Sequence, residues 1–400
     1  MPPAHAGESF APMRIDPQDL RICIEDEVTP YADGAVPTSV PIVQTSLFSF
    51  PTLADLQDGL SNEMGTHVYS RGQNPTVEVL EGKVAALERG EACKAFASGM
   101  AAVSAVFLGL LKAGDHVVFF NQIYGPTLQL ARQLERFGIS HDVVLELDVA
   151  ALEAALLPET RLIWVESPGT MLFRVADLAA VAALARERGI TTAIDNTWTT
   201  PLLQKPLTLG FDVVMHTATK YLGGHSDVVG GVVVTDRDRM REIFYRAYLL
   251  NGGILPPFDA WLLLRGMRTL PARLREHEAA GLAVAEFLKD HPKVVTVHHP
   301  AFTANPALVE RQMSGYSGVF SFVLQDGSHE AVRRFVDALE IFRIGVSWGG
   351  VESLVISPQR SDNAASLARH GLPPGLVRLS VGLEGAEALV ADVARALEAV

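Results

Sequence analysis

The rhythm of apolar positions changes several times along the chain and predicts its elements. Short apolar runs at 92–97, 116–120, 141–145, 161–166 and 190–195 read as strands, and helical patterns at 99–112, 127–137, 148–157 and 176–188 separate them. "FDVVM" (211–215) and "VVGGVVV" (228–234) read as two further buried strands, rich in β-branched residues. Strands alternating with helices of this length predict an α/β architecture, a mostly parallel sheet covered on both faces. The first clear helix precedes them: Asn74 caps it, Pro75 suits its first turn, Val77, Leu80, Val84 and Leu87 share a face, and Gly90 is the expected stop. Upstream, 1–15 reads as loose, and 16–60 mixes short apolar pieces with prolines, predicting an extended arm.

"NGGILPPF" (251–258) marks a boundary. Beyond it the pattern predicts a long helix over 259–289, strands at 294–298 and 318–324, and a helix over 329–339. A Ser/Asn/Pro-rich stretch at 357–375 follows, then a strand within "LVRLSVGL" and a closing helix over 386–400. The expected division is an N-terminal arm, 1–60, a main domain, 61–255, and a smaller α+β C-terminal domain, 256–400.

In open parallel sheets ligands bind beyond the carboxyl ends of the strands. Here those ends carry Ser98, Gly99 and Met100; Tyr124; Glu166; Asp195, Asn196 and Thr197; and Thr217, Thr219 and Lys220. A capping serine followed by glycine at a helix N-terminus leaves backbone N–H groups for a phosphate, though it is also an ordinary helix start. Asp195 reads equally as a cap for Trp198 or as a carboxylate holding a ring nitrogen protonated. Tyr124 either fills a turn or stacks on a flat ligand. Arg378 alternates against Val377 and Leu379, which makes it a solvated arginine or a carboxylate clamp. Lysine is rarely buried without a partner, so Lys220 between two buried strands is either snorkelling or held for chemistry. A lysine, a phosphate cradle, a carboxylate and an aromatic plate are together the parts of a pyridoxal phosphate site.

Composition narrows the classes. The chain is 48% hydrophobic and 20% charged, with formal net charge −13, which leaves no general basic surface for nucleic acid. Two cysteines, Cys23 and Cys93, make neither a disulfide framework nor a zinc cluster and fit a reducing cytoplasm. The first sixteen residues lack the basic and apolar regions of a signal peptide. The longest apolar stretch, 101–111, is too short for a bilayer, so a soluble cytoplasmic protein with no membrane partner is expected. Phosphate-loop and dinucleotide glycine motifs are missing, which counts against a nicotinamide oxidoreductase. No metal is expected: His277 and Glu278 begin a zincin pattern that Gly281 breaks, and His298 and His299 fall on opposite faces of a strand.

"YSRGQNPTVEVLE", "FASGMAA", "IDNTW", "TATKYLGGHSD", "SWGGVESL" and "VRLSVGLE", in this order over roughly 35–400, resemble the Cys/Met-metabolism family of pyridoxal phosphate enzymes. The resemblance implies the aspartate-aminotransferase-like fold type I. It implies Gly99, Met100, Thr217 and Thr219 on the cofactor phosphate, Tyr124 stacked on the ring, Asp195 at its nitrogen, and Lys220 as Schiff-base lysine and proton shuttle. It also implies Ser347, Trp348 and Arg378 around the substrate, with Arg378 beside the substrate carboxylate. Tyr69 and Arg71 are implied to reach the phosphate of a neighbouring subunit, the "YSR" spacing placing both on one side of an extended segment. The arm joins that contact, in an obligatory dimer usually paired into a homotetramer with shared active sites. The implied substrate is a small sulfur amino acid. "ESPGTM" and "SWGGVES" are similar to bacterial cystathionine β-lyases, whereas "YSRGQNPT" and "IYGPT" are similar to the γ-lyase and γ-synthase branch. Val346 matches neither the tyrosine nor the glutamate common there, and Thr170 stands where many relatives have asparagine. The expected activity is carbon–sulfur β-elimination from cystathionine, with cystathionine γ-lyase, cystathionine γ-synthase and methionine γ-lyase as the alternatives.

Overall fold

The structure, a computed structural model, describes residues 13–400, so most of the stretch expected to be loose lies outside the described residues. The chain forms two compact units. The larger comprises 16–170 and 175–271; the smaller comprises the described residues up to 15, 171–174 and 272–400. The chain passes between them for the last time inside one helix, Pro257–Lys289.

The larger unit is built on seven strands: β1 (Ala92–Phe96), β2 (His116–Phe120), β3 (Ser140–Val144), β4 (Thr160–Glu166), β5 (Thr191–Asp195), β6 (Val213–His216) and β7 (Gly231–Thr235). Their spatial order is β1-β7-β6-β5-β4-β2-β3. All neighbours from β6 to β3 are parallel, and β7 runs antiparallel to both β6 and β1. The segment 217–230 carries no crossover helix, so β7 returns antiparallel beside β6. β1 through β6 therefore point the same way, and their carboxyl ends share one edge. The continuous apolar runs follow from burial on both faces. Val117 and Phe119 of β2 pack with Phe107 and Trp164 on one side, while Val118 and Phe120 pack with Leu178, Val181 and Ala182 on the other.

Seven helices that matter here are α1 (Pro17–Ile24), α2 (Leu53–Ser61), α3 (Pro75–Glu88), α4 (Gly99–Leu110), α5 (Gly125–Leu134), α6 (Val149–Ala154) and α7 (Leu178–Arg188). Asn74 caps α3 as expected, accepting from Thr76 N–H at 3.0 Å. The expected stop is corrected by one residue. Arg89, not Gly90, takes the left-handed conformation (φ 62°), and Gly90 is small because a Cβ there would stand 2.2 Å from Val234 Cγ1. The arm expected over 16–60 contains two helices. Asp16 caps α1 and Thr52 caps α2. α1 is tied down by Asp19, fully buried, whose carboxylate pairs with Arg89 at 2.8 Å and Lys205 at 2.7 Å. The helix expected over 127–137 ends as α5 at Leu134, and a 3₁₀ turn, Glu135–Phe137, completes it.

The smaller unit holds a five-stranded sheet of β8 (Val294–His298), β9 (Val319–Leu324), β10 (Arg343–Ile344), β11 (Leu354–Ile356) and β12 (Leu376–Ser380), in the order β10-β11-β12-β9-β8. All its pairs are antiparallel except β10 with β11. Helices His329–Ala338 and Ala386–Glu398 pack together beside it. Asp392 of the second accepts the N–H groups of Glu340, Ile341 and Phe342 at 2.8–3.2 Å, fixing the chain just before β10. β10, β11 and the helix Ala364–Arg369 were not expected from the pattern, being only two, three and six residues long.

Candidate active site

In the larger unit the shared edge brings the expected phosphate and lysine residues together. Ser98 caps α4, its Oγ accepting from Ala101 N–H at 3.0 Å. The N–H groups of Gly99 and Met100 lie in the first turn, where an α-helix supplies no acceptor of its own. Opposite stands Thr217. A Cβ on Gly99 would come within 2.2 Å of Thr217 Oγ1, and a Cβ on Gly231 within 2.4 Å of the Ser98 carbonyl, so these glycines permit the approach. Thr219 is held on the far side of the turn by exchange with Gly230: its Oγ1 accepts Gly230 N–H at 3.0 Å, and its N–H donates to Gly230 O at 3.2 Å.

Lys220 is half-buried, and the loop around it is anchored. Ala218, Tyr221 and Leu222 are in the core, Lys220 N–H donates to Thr217 O at 3.1 Å, and Gly224 N–H donates to Lys220 O at 2.7 Å. The glycine pair has two local reasons: a Cβ on Gly223 would stand 2.9 Å from Val228 Cγ1, and Gly224 takes a positive φ of 72°. Two other lysines are more deeply buried, but each serves a structural ion pair. Lys83 meets Asp26 at 2.5 Å, and Lys94, within β1, meets Glu81 at 2.8 Å. Neither stands at the strand-end edge.

Asp195 is not a helix cap for Trp198. Its Oδ1 accepts Thr197 N–H at 3.0 Å and Thr197 Oγ1–H at 2.5 Å, while the next helix begins only at Thr200. Thr197 Oγ1 in turn accepts Thr217 N–H at 2.8 Å, which ties the tip of β5 to that of β6. Burial pushes the Asp195 carboxyl up, opposed by the Thr197 hydrogen bonds and by the charges of His216 and Lys220.

Three groups around the tips of β5 and β6 escaped sequence reading as neighbours of the site. Glu166, at the end of β4, pairs in register with Asp195. His216 and Glu88, both fully buried, lie 2.5 Å apart (Nε2 to Oε1), and Asn196 Nδ2 donates to the same Glu88 oxygen at 3.0 Å. Adjacency was the available signal, since His216 and Asn196 directly neighbour Thr217 and Asp195. The partner Glu88 lies 128 positions from His216 and could not be read locally.

Tyr124 precedes α5 with half its surface exposed, and its N–H donates to Glu166 Oε2 at 2.7 Å. Tyr69 and Arg71 lie in a turn closed by Gly72 N–H to Tyr69 O at 2.8 Å, which corrects the extended segment expected there. They still share a side: the Arg71 guanidinium carbon lies 5.5 Å from the centre of the Tyr69 ring, and both side chains are exposed. Gln73, just beyond, is pinned from below by the buried Lys94, whose Nζ donates to its Oε1 at 2.5 Å.

In the smaller unit, Arg378 on β12 stands between Ser321 of β9 and Ile356 of β11. It is half-buried while Val377 and Leu379 are buried, and its Nη2 donates to Ser347 O at 3.0 Å. Ser347 adopts a positive φ of 83°, uncommon for a residue with a side chain. Trp348 is half-buried beside it, and Val346 is 76% exposed. Among the described residues no group of three or more His, Cys, Asp or Glu side chains is arranged to hold a metal, and no helix is long and apolar enough to cross a membrane.

The larger unit's edge has the donor set for pyridoxal phosphate. N–H and hydroxyl donors gather where Gly99 has no side chain to fill the space against Thr217, a carboxylate lies two strands from β7, and an amine stands at the end of β6. Comparison with known proteins agrees. The model of the family "Cys/Met metabolism PLP-dependent enzyme" matches residues 26–398. The chain is 42% identical to an L-methionine γ-lyase of Pseudomonas putida, over 90% of this chain and 92% of that one. It is 40% identical to a cystathionine β-lyase of Lactococcus lactis subsp. cremoris, over 92% and 96%. The crystal structure of a cystathionine γ-lyase from Lactobacillus plantarum complexed with L-serine superposes with a TM-score of 0.87 at 36% identity, covering 96% of this chain and 99% of that one.

Proposed function

This chain belongs to the Cys/Met metabolism family of PLP-dependent enzymes, and from that premise we propose that it is a cystathionine β-lyase, cleaving cystathionine to homocysteine, pyruvate and ammonia. It is an enzyme of amino-acid metabolism that uses pyridoxal 5'-phosphate, in a family of carbon–sulfur lyases and synthases. Relatives at about 40% identity carry several activities, so the β-lyase reading rests on Trp348 in "SWGG", beside the carbonyl that takes the Arg378 guanidinium.

Bound pyridoxal phosphate supplies the electron sink that takes up charge when the substrate loses its α-proton. The chain's own residues do the rest. Gly99 and Met100 N–H with the Thr217 and Thr219 hydroxyls hold the phosphate. Tyr124 would lie against the ring face, and Asp195 would keep a proton on the ring nitrogen. Lys220 would be the amine that holds the cofactor and, once displaced by the substrate amine, would move the proton from Cα. Arg378 takes the substrate carboxylate with its planar fork, held in direction by Ser347 O. A product assay on cystathionine tests the specific reading: pyruvate is expected, and 2-oxobutyrate would replace it with a γ-lyase.

The exposed Tyr69 and Arg71 serve the phosphate of a neighbouring subunit, in a homodimer paired into a tetramer. On this reading Lys220→Ala and Arg71→Ala, each inactive alone, complement each other. A mixed dimer has one site with both defects and one with neither, so random pairing returns roughly a quarter of wild-type activity. The variants are refolded together and assayed against each refolded alone. No recovery would place Arg71 in its own chain's site.

A further inference from the structure

Glu166 is a half-buried acid that the activity does not call for. It is the last residue of β4, Asp195 is the last residue of β5, and the two are paired in register in a parallel ladder. In-register neighbours project to the same face, with strands about 4.8 Å apart, so the two acidic side chains leave their strands side by side. Two carboxylates so placed repel where water is scarce, which favours the protonated form of one of them.

The surroundings decide which keeps the proton. Asp195 takes both donors of Thr197 on one oxygen and is drawn down by His216 at the end of β6 and Lys220 in the loop beyond it. The Glu166 carboxyl accepts the Tyr124 N–H at 2.7 Å, and Asp195 is the leading charge acting on it among the described residues. We propose that Glu166 is a positioning residue that carries the proton of the Glu166–Asp195 pair, confining the negative charge to Asp195 while its side-chain Oε2 accepts the Tyr124 N–H and anchors that backbone. This rests on Asp195 being the partner of the ring nitrogen and Tyr124 its stacking residue. Burial and then the charge of Asp195 hold the Glu166 carboxyl well above the usual carboxylate range, in keeping with that assignment.

The sign follows from linkage. An acid whose folded pKa exceeds its unfolded value takes up a proton on folding. The associated stability is full below the unfolded value and is lost as pH rises from there to the folded pKa. Glu166→Gln keeps the carbonyl acceptor and has no proton to lose. The melting temperature of the Glu166→Gln holoenzyme, relative to wild type, should therefore climb by about 2 °C or more between acid and mildly alkaline pH. Glu166→Leu keeps similar bulk but leaves Tyr124 N–H without its acceptor, and an orphaned donor costs about tenfold in binding. Cofactor titration of the two apo-variants should give a dissociation constant roughly tenfold higher for Glu166→Leu than for Glu166→Gln.

A melting difference that stays constant with pH, or equal cofactor affinity for the glutamine and leucine variants, would overturn the proposal. If Glu166→Leu does not fold, the pH dependence of Glu166→Gln alone decides. Near-normal turnover in Asp195→Asn would instead strike the role of Asp195 in the reaction, and the pH-dependent melting would still judge where the proton resides.

Discussion

Lys220→Ala is expected to lose turnover by about four orders of magnitude or more, because one amine both bonds the cofactor and moves the α-proton. The fold should survive. Lys220 is half-buried in a loop whose anchors are Ala218, Tyr221, Leu222 and the backbone bonds around Thr217 and Gly224, none of which involves its side chain. Loss of activity with an unchanged melting temperature of the apo-protein therefore separates chemistry from stability. Lys94→Ala provides the contrast. It breaks a buried pair with Glu81 and strands a carboxylate, an event that costs about 3–5 kcal/mol, so it should destabilise the protein.

Asp195→Asn should reduce kcat by about a hundredfold or more, since a neutral amide cannot hold the ring nitrogen charged at the moment negative charge develops. The substitution is nearly isosteric. The amide oxygen can still accept from Thr197 N–H and Oγ1–H, so the tie from β5 through Thr197 to Thr217 is kept. KM and cofactor content should change far less than kcat. An equal loss of cofactor binding and turnover would mean that Asp195 acts mainly by holding the strand tips.

Much of this site was readable before the structure because its parts lie at element ends. Gly99 opens α4, Asp195 ends β5, and Thr217 follows β6, so a pattern that finds the strands also finds their tips. What it could not supply are pairings between distant segments. Glu166 read as a strand end, but its neighbour Asp195 became visible only once β4 and β5 were in register. Glu88 lies on the buried side of α3 and meets His216 from another element entirely. The arm over 16–60 looked extended because its two helices are only eight and nine residues long and their support is tertiary; Asp19 is held by Arg89 and Lys205. Gly90 carried the usual mark of a helix end, yet its role is to admit the side chain of Val234.

The central assignment, that Lys220 is the residue joined to the cofactor, is tested most directly by chemical trapping. The holoenzyme is reduced with borohydride, digested, and its peptides mapped by mass. The account predicts loss of the yellow colour and a single peptide carrying the reduced cofactor at Lys220. The label on Lys83, Lys94, Lys205 or any other lysine, or on none, would contradict it.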